Sequence, residues 1–210
     1  LVLINVPIAV ALCIASVAAM LATQGAASLP NVPLALYQGT TSFPLIAIPL
    51  FILAAAIMNT SGISHRLIDF CQALVGWVRG ALAQVNVLSH MFFAEISGSA
   101  VAGVAATASI IMPAMQKRGY PGPFTAAVTY STATLAIIIP PSIPMILYAV
   151  MAGTSVVQMF VAGIVPGLFT AFGFMGLCYW YAVKHNWPVE QIFQWSKLWR
   201  AFREAWAAPT

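Results

Sequence analysis

An acidic residue and two serines stand inside an apolar run of this chain, the segment HMFFAEISGSAVAG. Glu95 precedes the turn-forming residues Ser97, Gly98 and Ser99, and a run of small residues follows them. Oxygen ligands suit hard cations, and an ionisable residue at membrane depth is by default a candidate functional group. Glu95 is therefore a candidate ligand for a cation or proton. Pairing with His90 and capping of backbone amides near the turn are the alternatives.

A second polar group lies in the segment STATLAIIIPPSIPM. Pro140, Pro141 and Pro144 lack amide hydrogens and restrict the residues before them, so the sequence predicts that a helix opens near residues 138–142. Hydroxyls in this region add neutral oxygen ligands of the type that suits sodium. They belong to Thr132, Thr134 and Ser142.

Each motif also has a purely structural interpretation. Small residues such as Ser97 and Ser99 can form a close helix-packing face in a membrane. A proline pair can simply kink an ordinary spanning helix. We predict the functional interpretation for both motifs, with Ser97 and Ser99 as candidate sodium ligands and Pro140, Pro141 and Ser142 lining the site.

The composition indicates the elements that must position these residues. The chain is 61% hydrophobic and 6% charged, whereas soluble domains are about 25% charged. The stretch from Gly119 to Val183 contains no charged residue, and about 20 apolar residues cross a bilayer. The sequence therefore predicts an all-α polytopic membrane protein. Its eight basic residues lie at the edges of apolar segments, where they set orientation in the lipid bilayer and do not indicate nucleic-acid binding.

The charge pattern also predicts how the chain is organised. Between Arg79 and Lys117 lie 37 residues, and if both basic ends are cytoplasmic the chain must enter the membrane and return between them. Irregular backbone at membrane depth is tolerated where it is buried in protein or lines a wet cavity, so we predict a re-entrant hairpin. The predicted segments are spans over 2–21, 43–58 and 156–183, an uncharged loop over 22–42, the hairpin over about 80–116, a broken span over about 124–150, and an interfacial amphipathic helix over about 189–207.

Four segments, in this order and spacing, strongly resemble the large, DctM-like permease subunit of the tripartite ATP-independent periplasmic (TRAP) transporters. They are PLFILAAAIMNTSGIS, GALAQVNVLSHMFFAEISGSAVA, SIIMPAMQKRGYPGPFTAAVT and IIPPSIPMILYAVMAGTSVVQMFVAGIVPG. The likeness covers nearly the whole chain. It corresponds to about the first half of that subunit, so we expect residues 1–210 to form one membrane domain of a longer protein, and to fold poorly alone.

The resemblance implies an elevator-type ion transporter fold, of which this chain would be the first inverted repeat. It implies a small permease subunit as partner, and a periplasmic binding protein that delivers an organic anion such as a C4-dicarboxylate or sugar acid. It also implies a bacterial inner-membrane location and sodium ions as coupling ions, with no cofactor and no enzymatic activity. The Ser-Gly-Ser turn and the Pro-Pro-Ser break would then be the first repeat's contributions to the sodium sites.

The sequence differs from the family pattern at several places. Ala56 and Gly103 stand where the family often has acidic residues, and Ala136 and Ile137 stand where it often has Gly and Pro. Two other functions remain alternatives: an intramembrane serine hydrolase and a membrane scaffold that does not transport. The hydrolase needs a base close to its serine, whereas seven residues of continuous helix would separate His90 from Ser97 by about 10 Å.

Overall fold

The computed structural model describes residues 6–187, 189 and 195–206, and for residues 59, 60, 97, 106 and 204–206 it describes the backbone alone. The regular secondary structure of this part of the chain is helical, which confirms the predicted all-α class. Contacts group the chain into two compact units, Leu1–Ile46 and Ala47–Thr210. A single membrane domain over residues 1–210 stays a prediction, because separate compact units can belong to one membrane domain.

The helices follow one another with short connections. In the described residues they are α1 Ile8–Gln24, α2 Asn31–Thr41, α3 Phe43–Thr60, α4 Ile63–Val75, α5 Ala81–Ser97, α6 Ala100–Lys117, α7 Gly122–Thr132, α8 Leu135–Ile138, α9 Ile143–Met151, α10 Val156–Lys184 and α11 Trp195–Trp206. A single 3₁₀ turn, Ala26–Ser28, precedes α2.

The first unit contains a helix where the sequence predicted an uncharged loop over 22–42. Helix α2 begins after Pro30, and Pro33 lies in its first turn, where a missing amide removes no intrahelical hydrogen bond. The Ser28 hydroxyl closes the preceding turn by donating to the Gly25 carbonyl at 2.7 Å. The Gly, Pro and Ser residues thus prepare a helix start, and the loop prediction was wrong over Asn31–Thr41.

In the second unit α5 is the central helix, packing against α4, α6, α7, α8 and α10. Ala81, Ala83, Val85 and Val87 are fully buried, and so are the polar side chains of Asn86 and Ser89, because α5 has neighbouring helices on several sides. Gly80, just before α5, has a φ of 72°, and a Cβ there would lie 2.6 Å from the Ala182 Cβ of α10. The start of α5 is therefore held directly against the end of α10.

One described helix, α10, is long and apolar enough to cross a bilayer by itself. Two further spans result if each bent pair of helices is counted as one, Ala26–Thr41 with Phe43–Met58 and Gly122–Ile138 with Ile143–Met151. The second pair bends by 41°, and its break falls where the prolines predicted it.

A further interruption inside this pair was not predicted from the sequence. At Ala133 and Thr134 the backbone tightens, because the Thr134 amide donates to the Ser131 carbonyl at 3.2 Å and the Ala136 amide to the Ala133 carbonyl at 3.1 Å. These bonds reach three residues back, the 3₁₀ pattern that often marks an irregularity within a helix. The broken helix therefore has two irregular points, at 133–134 and at 139–142.

The tail forms helix α11 inside the predicted segment 189–207, of which residues 190–194 and 207 lie outside the described part of the chain. Helix α11 packs on α4, with the rings of Phe70 and Phe202 6.0 Å apart. Trp195 and Trp199 remain 70% and 58% exposed. Large exposed aromatic side chains suit an interfacial helix, which stays a prediction.

Candidate functional site

The turn between α5 and α6 is made by Gly98 and Ser99. Gly98 has a φ of 57°, and its amide donates to the Ala94 carbonyl at 3.0 Å. This left-handed geometry ends helices commonly and favours glycine. Ser99 is extended and accepts from the Ala102 amide at 3.4 Å, so it caps the start of α6. We call Ser97, Gly98 and Ser99 the tip. It places a helix C-terminus and a helix N-terminus within two residues of each other.

The break between α8 and α9 follows from its prolines. Pro140 and Pro141, which are joined by a cis peptide bond, cannot donate to the carbonyls of Ala136 and Ile137 as helical residues would. The buried Ser142 hydroxyl donates to the Ile137 carbonyl at 2.8 Å, in place of the amide that Pro141 lacks. At the break the helix is therefore open, and a side-chain hydroxyl supplies the hydrogen bond that one of the two carbonyls would otherwise lack.

The fold brings the tip and the break into direct contact. The Ile143 amide donates to the Gly98 carbonyl at 3.4 Å. A Cβ on Gly98 would lie 2.9 Å from the Pro141 carbonyl oxygen and 3.4 Å from the Ser142 Cα. Position 98 therefore requires glycine for two reasons: its φ is left-handed, and there is no space for a Cβ. We call this arrangement of Gly98, Pro141, Ser142 and Ile143 the tip–break contact.

Helix α10 lies against the other side of the break. A Cβ on Gly163 would lie 2.7 Å from the Ile138 carbonyl oxygen, and one on Gly167 would lie 2.7 Å from the Ile139 Cγ1. Residues four apart share a helix face, so the two glycines form a flat surface on which the break rests. This Gly-xxx-Gly spacing is a known signal for close helix packing in membranes, and the sequence analysis missed it.

A cavity of about 450 Å³ lies beside the tip, between α6 and the irregular end of α7. Thr134 lines it and donates its hydroxyl to the Ser131 carbonyl at 2.6 Å. Val101, two residues beyond the tip, is 80% exposed. The remaining lining residues are Ala100, Val104, Ala105, Tyr130 and Ala133.

Behind the tip, His90 joins three helices. Its Nε2 lies 3.0 Å from the Thr107 hydroxyl on α6, and its Nδ1 lies 3.1 Å from the Thr132 hydroxyl on α7 and 2.9 Å from the Asn86 carbonyl on α5. Both threonines also bond to their own helices, Thr107 donating to the Gly103 carbonyl at 2.8 Å. Thr132 is a buried contact of this imidazole, and its predicted role as a cation ligand stays a prediction.

The same polar network continues along α7. The Asn86 side-chain amide donates to the Thr129 hydroxyl at 2.7 Å, and Thr129 donates to the Thr125 carbonyl at 2.9 Å. Asn86 and these two threonines are fully buried. We call His90, Asn86, Thr107, Thr129 and Thr132 the buried network. Its sequence signal was available but was not used: Asn86 and His90 are four apart, as are Thr125 and Thr129, so each pair shares a helix face.

The predicted site residues thus have different positions. Glu95 is exposed on α5, while the His90 nitrogens contact the buried network, so the proposed pairing of these two residues is not formed. The Ser97 side chain lies outside the described part of the structure. Gly98, Ser99, Pro140, Pro141 and Ser142 belong to the tip or the break. Their role in binding a cation or substrate stays a prediction. Gly103 adjoins the imidazole, with a Cβ position 3.6 Å from the His90 Cδ2.

The fold and these features define a class of protein. An all-α membrane protein in which a helical turn meets an opened helix has the discontinuous helices typical of secondary transporters. The comparison with known proteins gives the family. Residues 1–210 match the family described as tripartite ATP-independent periplasmic transporter, DctM component, and the chain belongs to this family. The resemblance stated from the sequence motifs is confirmed.

Curated relatives agree with this assignment. The chain is 39% identical over 204 residues to the C4-dicarboxylate TRAP transporter large permease protein DctM of Vibrio cholerae, covering 97% of this chain and 45% of that protein. It is 41% identical over 167 residues to the 2,3-diketo-L-gulonate TRAP transporter large permease protein YiaN of Escherichia coli, covering 80% of this chain and 39% of that protein. It is 39% identical over 187 residues to the isethionate TRAP transporter permease protein DctMQ of Oleidesulfovibrio alaskensis, covering 89% of this chain and 29% of that protein. The chain thus spans less than half the length of these relatives.

Proposed function

We propose that this chain supplies the first half of the large membrane subunit of a sodium-coupled TRAP transporter that imports an organic anion across a bacterial inner membrane. A small permease subunit would complete the membrane part, and a periplasmic binding protein would deliver the substrate. The tip–break contact carries the proposal, since it is a meeting of two backbone irregularities that are far apart in sequence.

The chemistry of the contact suits a small cation. The C-terminal end of α5 and the opened turn after α8 present carbonyl oxygens, and unwound carbonyls coordinate sodium in transporters of this general kind. The Ser99 hydroxyl and the Gly98 carbonyl lie on the tip, and Pro140 lacks the amide that would occupy the Ala136 carbonyl. Neutral oxygens of this type can bind a hard monovalent ion, and burying them in its absence costs less free energy than burying an unpaired carboxylate would.

An organic anion is the substrate class that we infer. The predicted spans contain no Lys or Arg, so an anion would rest on helix N-termini, whose amides carry partial positive charge. The starts of α6 and α9 are the two N-termini at the tip and the break. The relatives' names specify a C4-dicarboxylate, a diketogulonate and isethionate, all of which are organic anions.

The hairpin α5–α6 would be re-entrant, and the second unit would belong to the moving part of an elevator-type transporter. Val101 and Glu95 are exposed beside the tip, where a second, inverted repeat would face them in the complete subunit. The cavity beside Thr134 would then form one wall of the substrate path. This arrangement would account for the exposure of Val101 and Glu95 and for the cavity beside Thr134.

An intramembrane hydrolase receives no support from these contacts. A serine nucleophile needs a general base within hydrogen-bond distance. His90 instead contacts Thr107, Thr132 and the Asn86 carbonyl, and the Ser142 hydroxyl donates to a backbone carbonyl. A scaffold without transport activity is the remaining alternative, and the experiment below separates it from the proposed function.

The test is uptake of a labelled C4-dicarboxylate, with a sugar acid in parallel, into proteoliposomes containing the full-length protein, its small subunit and its binding protein. The variant is Ser97→Ala with Ser99→Ala, and the matched control is Ser109→Ala, an exposed serine on α6 that donates to the Ala105 carbonyl. We expect uptake that needs both sodium and the binding protein, and that falls at least about tenfold in the double variant, a loss of about 1.4 kcal/mol.

Three results would contradict parts of the proposal. Robust uptake without sodium would overturn the coupling. Unchanged sodium dependence in the double variant would remove the serines from the sodium site while the transporter assignment stood. An absence of uptake for both substrate classes, in protein that still binds its small subunit, would favour the scaffold.

A further inference from the structure

A groove on the side of α7 and α10, away from the tip–break contact, has a volume of about 250 Å³. Its lining is mostly aromatic and aliphatic. Of its two hydroxyl-bearing aliphatic residues, Ser131 and Thr132, the Thr132 hydroxyl already donates to the Val128 carbonyl at 2.7 Å. The other lining residues are Phe124, Ala127, Val128, Phe174, Leu177, Cys178, Trp180 and Tyr181. Because α10 is the helix that can cross the bilayer by itself, this groove lies at a depth where its occupant must be apolar.

An aromatic cluster closes one end of the groove. The rings of Phe124 and Tyr181 stack with centroids 5.1 Å apart, and Tyr181 stacks on His185 at 4.7 Å. Tyr120, in the loop between α6 and α7, lies 4.4 Å from Trp187. Tyrosine and tryptophan concentrate where the hydrocarbon core meets the headgroups. The cluster therefore marks the groove's headgroup end.

The basic residues next to this cluster are contributed by two different helices. Lys117 ends α6 and Lys184 ends α10, and the Tyr120–Trp187 contact brings the two helix ends together. The Lys184 ammonium lies 5.2 Å from the centroid of the Trp180 ring, and Trp180 itself lines the groove. In the sequence no acidic residue occurs between Glu95 and Glu190, so the positive charge there is not neutralised by a nearby acid on these helices.

We propose that the groove binds one acyl chain of an anionic phospholipid, whose phosphate is held by Lys184 and Lys117. An apolar channel alone would accept any chain, but basic residues at the headgroup level select an anionic lipid. The distance along α7 from Phe124 to Thr132 is about 12 Å, enough for the upper part of a fatty acyl chain. This proposal concerns a different surface from the tip–break contact and does not depend on the transport function.

The lipid would also support the buried network. Thr132 is both the inner end of the groove and the α7 contact of His90. An acyl chain that fills the space between α7 and α10 would hold α7 against α5. A transporter purified without anionic lipid would then be less stable, although its residues are unchanged.

The experiment is native mass spectrometry of the full-length protein with its small subunit, released from detergent after equilibration with phosphatidylglycerol or phosphatidylcholine of the same acyl chains. We expect one phosphatidylglycerol to be retained preferentially, by about fivefold for each lysine that contacts it. Lys117→Gln with Lys184→Gln should remove the preference for phosphatidylglycerol. Ala127→Leu, which fills the groove, should reduce retention of both lipids.

Matched controls are Arg200→Gln, an exposed basic residue of α11, which packs on α4, and Ala162→Leu, an exposed alanine of α10 outside the groove. Neither should change lipid retention. Equal retention of the two lipids by the unmodified protein would overturn the proposal without any variant. A preference that survives the lysine substitutions, or no retained lipid because another part of the full-length protein covers the groove, would also overturn it.

Discussion

Two polar regions lie close together in the second unit and satisfy their polar groups in opposite ways. In the buried network, side chains from α5, α6 and α7 bond to one another, and the imidazole of His90 has partners for both nitrogens. At the tip–break contact, backbone groups meet backbone groups, and the described partners are a 3.4 Å bond from Ile143 to Gly98 and the Ser142 hydroxyl. The first region is held by side-chain hydrogen bonds and the second mainly by contacts between backbone groups.

The difference indicates what each region contributes. The hydrogen bonds of the buried network fix the packing of three helices, since breaking them leaves polar groups unpaired in a low-dielectric interior, as the Asn86 Oδ1 already is in the described structure. An opened helix keeps carbonyls and amides whose hydrogen-bonding capacity is only partly used. Such carbonyls can coordinate a cation, and such amides can bind an anion. We therefore expect the network to control stability and the tip–break contact to control the sodium dependence of uptake.

The largest effect should come from Gly98→Ala. Alanine in the left-handed region costs about 1–2 kcal/mol, and its Cβ would displace the Pro141 carbonyl, a type of overpacking that costs about 1–3 kcal/mol. Gly153→Ala is the matched control, because Gly153 has a φ of 64° but nothing within 4 Å of its Cβ position. Uptake should be lost in the first variant and retained in the second. Equal losses would show that backbone strain alone matters and that the contact does not.

The next effect should come from His90→Leu in the buried network. Removing the imidazole takes away the hydrogen-bond partner of the Thr107 and Thr132 hydroxyls and should destabilise the protein by about 1–3 kcal/mol. A lower thermal unfolding midpoint should accompany an unchanged sodium concentration for half-maximal uptake. His65→Leu, at an exposed position of α4, serves as control. A shifted sodium dependence without loss of stability would break the distinction between the two regions.

A smaller effect, with opposite signs at two positions, should distinguish the glycines of α10. Gly173→Ala meets open space and should stabilise the helix by about 0.5–1 kcal/mol. Gly163→Ala would collide with the Ile138 carbonyl and should destabilise by about 1 kcal/mol net, since overpacking exceeds the helical gain. Thermal unfolding of both variants tests this. Stabilisation by both would mean that the break does not rest on this face of α10.

The smallest effect should follow Ser142→Ala. The Ile137 carbonyl would lose its donor at a cost of about 1 kcal/mol, and the opened turn would be held less firmly. We expect a modest loss of stability with a raised sodium requirement. Thr23→Val removes a comparable hydroxyl that bonds to an exposed carbonyl of α1 and should change stability by less than about 0.5 kcal/mol. An unaltered sodium requirement in the Ser142 variant would restrict the ion site to the tip.

Much of the architecture was predictable from the sequence because membrane spanning depends on local composition. Long uncharged stretches predict helices, and the positions of helix ends at Gly98 and near Pro140 follow from the φ that glycine tolerates and from the amide that proline lacks. The second irregularity at Ala133 and Thr134 was not predicted, since it depends on short backbone bonds among ordinary residues. The same limit explains the error over α2, where prolines at a helix start resemble those of a loop.

The candidate site could be identified only from the fold. The sequence identified the Ser-Gly-Ser turn and the Pro-Pro-Ser break separately, but only the packing of α5, α6 and α9 brings the Gly98 carbonyl to the Ile143 amide. For Thr132 the sequence suggested a cation ligand, and only the fold shows that its hydroxyl also contacts His90. Local residue chemistry thus determined the class of protein and the places where its helices open. Which of those places meet, and which polar side chains are already used in packing, was decided by the tertiary structure, because such contacts join residues that no sequence spacing relates.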